Sequence, residues 1–325
     1  MFSGSQVALV TPMHADGSID WAAWERLLEL HAESGTAGVV VGGSTGESAT
    51  LTEGELLALL ERARPKLQGR AALIAAVGGS STAATVERVH RVSAAGVDGL
   101  LVVTPSYNRP TQEGLYRHFE AVAAASSVPV VLYNVPARTG VDMLPTTVAR
   151  LARLPRIVGI KEAAPGLERI RELIAASRGE SDRAFSVLSG DDLLAADAML
   201  LGARGVISVT ANLVPKAMAQ LCAAALRGDT VAAGRINGSL AALHAALFVE
   251  SNPIPVKWAL AELGLIEPGI RLPLTPLSES LHATVRAALE PARRRRSESG
   301  SDAEAPKKTP EPMSHADPVV QARFA

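Results

Sequence analysis

Arg156-Ile157-Val158-Gly159-Ile160-Lys161-Glu162-Ala163-Ala164 is a short apolar run closed at each end by charge. No polar residue alternates through the stretch from Ile157 to Ile160, so it reads as a strand covered on both faces, the habit of parallel sheets. The charge at its end matters as much. A lysine at the mouth of a buried strand is hard to solvate, which disfavours its ammonium form and suits its free amine to attack carbonyl groups. The plainer reading of Lys161 is a surface charge just past a strand, and what the other strand ends carry bears on the choice.

Runs of the same kind recur on both sides of this one. Strands are expected at Gln6 to Thr11, Gly38 to Val41, Ala72 to Val77, Gly99 to Val103, Val128 to Tyr133, Ile157 to Ile160, Phe185 to Leu188 and Gly205 to Ser208. Segments of helical period separate them, several with start signals such as Thr52 ahead of Glu53 and Glu55, or Asp191 at the opening of its helix. Eight strand and helix repeats are the number that closes an α/β TIM barrel, and no GxGxxG follows the first strand to suggest an open dinucleotide-binding sheet. The barrel is expected over residues 1–228, and an appended three-helix segment over 229–290. Residues 291–325 open with the basic block Arg293 to Arg296 and continue in Ser, Pro, Glu, Lys and Ala, a composition that reads as a disordered tail.

Composition narrows the function. Lysine and arginine number 32 against 33 acidic residues, so the formal net charge of -1 gives no field drawing the whole protein to nucleic acid or an anionic membrane. Small-molecule partners are expected instead. The single cysteine, Cys222, cannot form an intramolecular disulfide and lies in an Ala-rich helix, which suits a packed thiol. The N-terminal sequence has no signal-peptide pattern and no long apolar span follows, so a cytoplasmic location is expected.

In a TIM barrel, chemistry gathers at the C-terminal ends of strands. The second strand ends in Gly42-Gly43-Ser44-Thr45-Gly46-Glu47, a tight turn whose N–H groups and hydroxyls suit a carboxylate; the GxxxxGK spacing of a phosphate loop is missing. The fourth leads into Tyr107, and the fifth ends at Tyr133 with Arg138 beyond it in a Pro- and Gly-bounded loop. A phenol held by a hydroxyl such as that of Ser44 can pass protons, and a guanidinium can grip a carboxylate with two parallel bonds. Taken singly, each residue also suits packing, a plain glycine turn or a surface salt bridge. Asp191 and Asp192 after Gly190 invite a metal, but the histidines show no HxxxH or HExxH spacing and Asp191 suits a helix cap, so neither a catalytic metal nor another cofactor is expected.

Together, Gly43-Ser44-Thr45-Gly46-Glu47, the string from Tyr133 to Gly140, Gly159-Ile160-Lys161-Glu162-Ala163, Gly205-Val206-Ile207-Ser208-Val209 and Asn252-Pro253-Ile254-Pro255-Val256-Lys257 carry a resemblance. From about Ser5 to Leu289 the chain resembles the dihydrodipicolinate (4-hydroxy-tetrahydrodipicolinate) synthase family, pyruvate-dependent Schiff-base aldolases akin to N-acetylneuraminate lyase. The resemblance implies that Lys161 forms a Schiff base with pyruvate and that Tyr133, Ser44 and Tyr107 form a proton relay, with Tyr107 entering from a neighbouring subunit. It implies further that Ser44 and Thr45 hold the pyruvate carboxylate, that Ile207 lines the same pocket and that Gly190 belongs to the substrate-binding set. Arg138 would bind L-aspartate 4-semialdehyde, in a homotetramer built as a dimer of dimers and serving lysine and diaminopimelate biosynthesis.

The chain departs from the family pattern at two places. Ser44 holds a relay position more often occupied by threonine. At the feedback site of lysine-sensitive members, Ser48 and Ala49 match, but Glu53, Ser80, Ala84 and Ser106 stand where those members carry His, Asn, Glu and Tyr. Weak or absent lysine inhibition is therefore expected. The alternatives are another aldolase of the family acting on a sugar-derived aldehyde, and a non-catalytic keto-acid binding protein on the same barrel.

Overall fold

Strand β1 (Gly4–Ala8) pairs with β2 (Gly38–Val41) on one side and β8 (Gly205–Ser208) on the other, so the sheet closes without an edge. Between them β3 (Ala72–Val77), β4 (Gly99–Val103), β5 (Val130–Asn134), β6 (Ile157–Glu162) and β7 (Ser186–Ser189) follow in chain order, every pair parallel. The computed structural model describes residues 2–177 and 185–298. The expected (β/α)8 TIM barrel is what it shows.

Helices α1 (Trp21–Glu33), α2 (Glu53–Leu67), α3 (Thr82–Ser93), α4 (Gln112–Ala125), α5 (Pro136–Thr139), α6 (Pro145–Leu151), α7 (Leu167–Ser177), α8 (Ala195–Leu200) and α9 (Pro215–Leu226) connect the strands and surround them. Asp20, Thr52, Ser81 and Thr111 each accept a first-turn backbone N–H of α1 to α4, satisfying donors that a helix start leaves without partners. At Thr52 the cap is reciprocal, since Glu55 accepts the Thr52 N–H at 2.8 Å. Beyond the barrel, α10 (Thr230–Ala246) packs on α9, and α12 (Glu279–Glu298) packs on both α10 and α11 (Ile254–Glu262). Among the described residues no helix is long and apolar enough to cross a membrane.

Two apolar layers hold the barrel. The outer one, between strands and helices, contains Trp24, Leu27, Leu59 and Phe119, all essentially inaccessible to solvent. The inner one contains Ala8, Val40, Ile74, Leu101, Val131, Leu188 and Ile207, with Phe2 closing its lower end. Each Val- or Leu-sized side chain buried this way contributes about 1.5–3 kcal/mol. The inner layer fills the bottom of the barrel and leaves the C-terminal strand ends free for a site.

Several boundaries differ from the sequence reading. Strand β1 starts earlier and stops at Ala8, because beyond it the Val10 N–H donates to the Asn212 side chain. Strand β5 starts only after Pro129, which has no N–H for a ladder. Strand β6 does not stop at Ile160. Lys161 and Glu162 lie within it, paired to Tyr133 and Asn134 on one side and to Leu188 and Ser189 on the other. Asp191 caps the turn ahead of α8, accepting the Leu193 and Leu194 N–H groups, and the helix proper begins at Ala195. Helix α12 continues through Pro291 to Glu298; residues 299–325, the greater part of the expected tail, lie outside the described residues.

Candidate active site

A cavity of about 780 Å3 opens at the C-terminal face of the barrel. Its inner wall is made by strand ends. Because β5 and β6 pair Tyr133 with Lys161, these two side chains leave the sheet on the same face, and the Lys161 Nζ lies 4.4 Å from the centre of the Tyr133 ring. Lys161 is 6% exposed, and among the described residues no carboxylate pairs with its amine. The other deeply buried lysine, Lys257, is paired with Glu47 and lies outside the cavity lining. Lys161 is thus the buried amine that faces open space.

Gly42, with φ of 69°, turns the chain out of β2, and a side chain there would meet Leu56. The turn continues as Gly43-Ser44-Thr45-Gly46-Glu47, in which Gly46 and Glu47 N–H groups bond back to Gly43 and Ser44 carbonyls. The Ser44 and Thr45 N–H groups have no acceptor among the described residues and are free to meet an anion. Glu47, at φ 58°, is a non-glycine residue in the left-handed region, and it is held there by Lys257 and by the Arg271 N–H at 3.0 Å. Burial pushes the Lys257 ammonium below its ordinary range, against the attraction of Glu47. The pair joins the turn to α11.

Arg138 sits in α5, a short turn absent from the sequence reading, and lines the cavity. Its Nη2 donates to the Asn252 carbonyl at 2.9 Å, and Asn252 Nδ2 donates in turn to Thr45 Oγ1 at 2.9 Å. Asn252 therefore connects the guanidinium to the turn that carries Thr45, a role the sequence reading did not give it. The sequence signal was Asn252 standing just before the apolar opening of α11, where a polar residue must find a distant partner.

Ser44, Thr45, Tyr133, Arg138, Lys161 and Gly190 all line the one cavity. Among the described residues no hydrogen bond joins the Tyr133 hydroxyl to Ser44. Ile207 lies in the inner apolar layer, against which Tyr133 packs, and not among the lining residues. Tyr107 is 95% exposed, at φ 71°, and does not line the cavity of its own chain. Ser48, Ala49, Gly78, Gly79, Arg88 and Ser106 also belong to the cavity lining. Glu53 lies outside that lining, where Arg91 grips its carboxylate and holds the carboxyl below its usual range.

Behind Tyr133 and Lys161, the next residues of β5 and β6 are also paired and buried. Asn134 Nδ2 donates to both Glu162 carboxylate oxygens at 3.1 Å and to Asp142 Oδ1 at 2.8 Å. Arg169 holds Asp142 with two bonds of 2.8 Å and stands 3.8 Å from Glu162. Burial raises the Glu162 carboxyl above the usual carboxylate range, opposed by the Ala164 N–H and the Asn134 amide. Elsewhere, His14, Asp20 and Glu267 bring ligand atoms within 4.8 Å of one another, but none lines the cavity. Burial pushes the Cys222 thiol up to about 12, which suits a packed residue and not a nucleophile.

The Dihydrodipicolinate synthetase family matches residues 1–292. The chain belongs to that family. Its members are Schiff-base-forming, pyruvate-dependent lyases, and this chain is one of them. It is 52% identical to 4-hydroxy-tetrahydrodipicolinate synthases of Ectopseudomonas mendocina and Pseudomonas aeruginosa, in each case over 89% of the chain and 98% of the relative. Among solved structures it is similar to the chloride-inhibited dihydrodipicolinate synthase of Acinetobacter baumannii complexed with pyruvate. That likeness has a TM-score of 0.87 and 48% identity, covering 90% of this chain and 99% of the other.

Proposed function

We propose that this lyase condenses pyruvate, held as a Schiff base on Lys161, with L-aspartate 4-semialdehyde, as a 4-hydroxy-tetrahydrodipicolinate synthase of lysine and diaminopimelate biosynthesis. The observation that carries the reading is a buried, unpaired amine beside a tyrosine ring, facing a cavity with a guanidinium on its wall. The Lys161 amine adds to the pyruvate carbonyl and water leaves. The resulting iminium draws electrons from the methyl carbon, which loses a proton to the relay; the enamine carbon then attacks the aldehyde, whose oxygen takes up a proton.

The free N–H groups of Ser44 and Thr45 suit the pyruvate carboxylate, and Arg138, steadied by Asn252, suits the carboxylate of the aldehyde. Tyr107, standing outside its own cavity, supports a role in the cavity of a neighbouring chain, within a cytoplasmic homotetramer arranged as a dimer of dimers. Lysine feedback is weak or absent in this reading, since the lining that includes Ser48 and Ala49 also carries the cation Arg88, with Ser106 and no aromatic side chain at its position.

Borohydride reduction with pyruvate present, followed by peptide mapping, tests the chemistry. The added mass is expected on Lys161 and is lost in Lys161→Ala; labelling at another residue would contradict the reading. Arg138 at the cavity wall favours an acidic aldehyde over a sugar-derived one, and comparing turnover of aspartate semialdehyde with that of N-acetylmannosamine decides between them.

A further inference from the structure

Side chains alternate across a strand, so the two residues that follow Tyr133 and Lys161 point away from the cavity. These are Asn134 and Glu162, paired with each other in the same register and almost wholly buried. We propose that Asn134, Glu162, Asp142 and Arg169 form a positioning network for the reaction, holding the Lys161 amine and the Tyr133 phenol in fixed relation without touching substrate. The inference rests on Lys161 being the Schiff-base residue.

Glu162 fastens the end of β6 on three sides. Its carboxylate accepts the Asn134 amide of β5 and the Ala164 N–H of its own chain at 2.6 Å, while its carbonyl accepts the Gly190 N–H at 2.7 Å. Gly190 in turn lies directly against the Lys161 side chain. Asn134 extends the same hold to the loop after α5. Its Oδ1 accepts the Met143 N–H at 3.0 Å, and its Nδ2 reaches Asp142. That loop follows Arg138. One set of bonds therefore fixes the amine, the phenol and the segment next to the guanidinium.

A buried carboxylate this close to the reacting groups is costly unless fully partnered, and Glu162 is partnered by an amide, a backbone N–H and a nearby guanidinium. A merely stabilising network could lie anywhere on the barrel. This one lies a single residue behind each reacting side chain, where a small shift of strand ends changes the distance over which a proton must move. Misplacement by about 1 Å can cost on the order of a hundredfold in rate.

The charged groups facing Glu162 are Asp142 from the loop after α5 and Arg169 from α7, with Glu172 3.6 Å behind Arg169; Lys161 leaves β6 on the opposite face. Asp142 and burial both resist ionisation of Glu162, so the network loses its charge at a higher pH than an ordinary glutamate would. Turnover should carry an acid limb that belongs to this group.

Glu162→Gln retains the size and removes the charge. Its kcat is expected to fall about 10–100-fold while KM for pyruvate changes by less than about threefold, and the acid limb of the kcat profile disappears. Borohydride trapping with pyruvate should still label Lys161. Asp142→Asn, at a half-buried site, removes a like charge and frees Arg169 for Glu162, so the acid limb should move to lower pH. If the wild-type protein fails to label at Lys161, the Schiff-base reading and this one fall together. If Lys161 labels but Glu162→Gln turns over within about twofold of wild type with the same acid limb, only the positioning network is overturned. Should Glu162→Gln not fold, an unmoved acid limb in Asp142→Asn overturns it alone.

Discussion

Gly190 and Lys161 share a space that only one side chain can fill. A Cβ on Gly190 would lie 3.1 Å from Lys161 Cε and 2.9 Å from both the Ala163 Cβ and the Glu162 carbonyl oxygen. Two of those neighbours are backbone-fixed, so the lysine is the part able to move. The glycine is therefore a condition of the amine's position and not a flexible hinge.

Gly190→Ala is accordingly expected to fold, with a loss of about 1–3 kcal/mol from overpacking. The rate of borohydride-trapped labelling by pyruvate should fall by about 10–100-fold, because the amine is pushed from its place beside Tyr133. Trapping kinetics set beside a melting curve separate the two effects. Labelling at the wild-type rate would show that Lys161 has room the structure does not reveal.

The ion pair between Glu47 and Lys257 gives a second expectation. Both side chains are essentially inaccessible, so removing one partner strands a charge in the interior. Lys257→Met or Glu47→Gln should each cost about 3–5 kcal/mol, and the double substitution less than the sum, since no buried charge is then left alone. Urea unfolding measures this. Because the pair holds the turn carrying Ser44 and Thr45, kcat/KM for pyruvate should fall along with stability.

The barrel was legible because its strands are covered on both faces and appear as apolar runs separated by helical period. What misled was charge inside a strand. Lys161 and Glu162 read as an end because most of what satisfies them is distant in sequence; beyond the nearby Ala164 N–H, the amide that receives Glu162 comes from Asn134, on a different strand, and the lysine needs a cavity that only the closed barrel creates. Helix α5 is too short to show a period. Most of the candidate site, from Ser44 to Gly190, was recoverable from strand-end position and family motifs. The contact of Asn252 with Thr45 and the pairing of Glu47 with Lys257 were not, although the motifs contain these residues, since each contact reaches a partner more than two hundred residues away. Tyr107, which follows β4, stands exposed at φ 71° and lies outside the lining of its own cavity.

Lysine should inhibit weakly if at all. Arg88 shares the cavity lining with Ser48 and Ala49 and would repel the ligand's ammonium groups, and Glu53 is already held by Arg91 and Arg88. A lysine titration of initial rates tests this, and strong submillimolar inhibition would contradict it.

His31 makes stability depend on pH in a definite direction. Its ring is fully buried, with Nδ1 on Thr36 Oγ1 at 3.0 Å, and burial lowers it from an ordinary 6.5 to about 3. Below pH 6.5 the unfolded chain takes up a proton that the folded chain refuses, so folding weakens as pH falls and continues to weaken until about 3. The slope for this group approaches about 1.4 kcal/mol per pH unit. His118, lowered to about 4 by burial, acts in the same direction and adds its own share. Replacing His31 with Gln removes only the first contribution. Between pH 7 and 5, the wild-type protein should therefore lose about 2 kcal/mol more than His31→Gln in urea unfolding. Equal losses in the two proteins would mean that His31 is protonated within the fold.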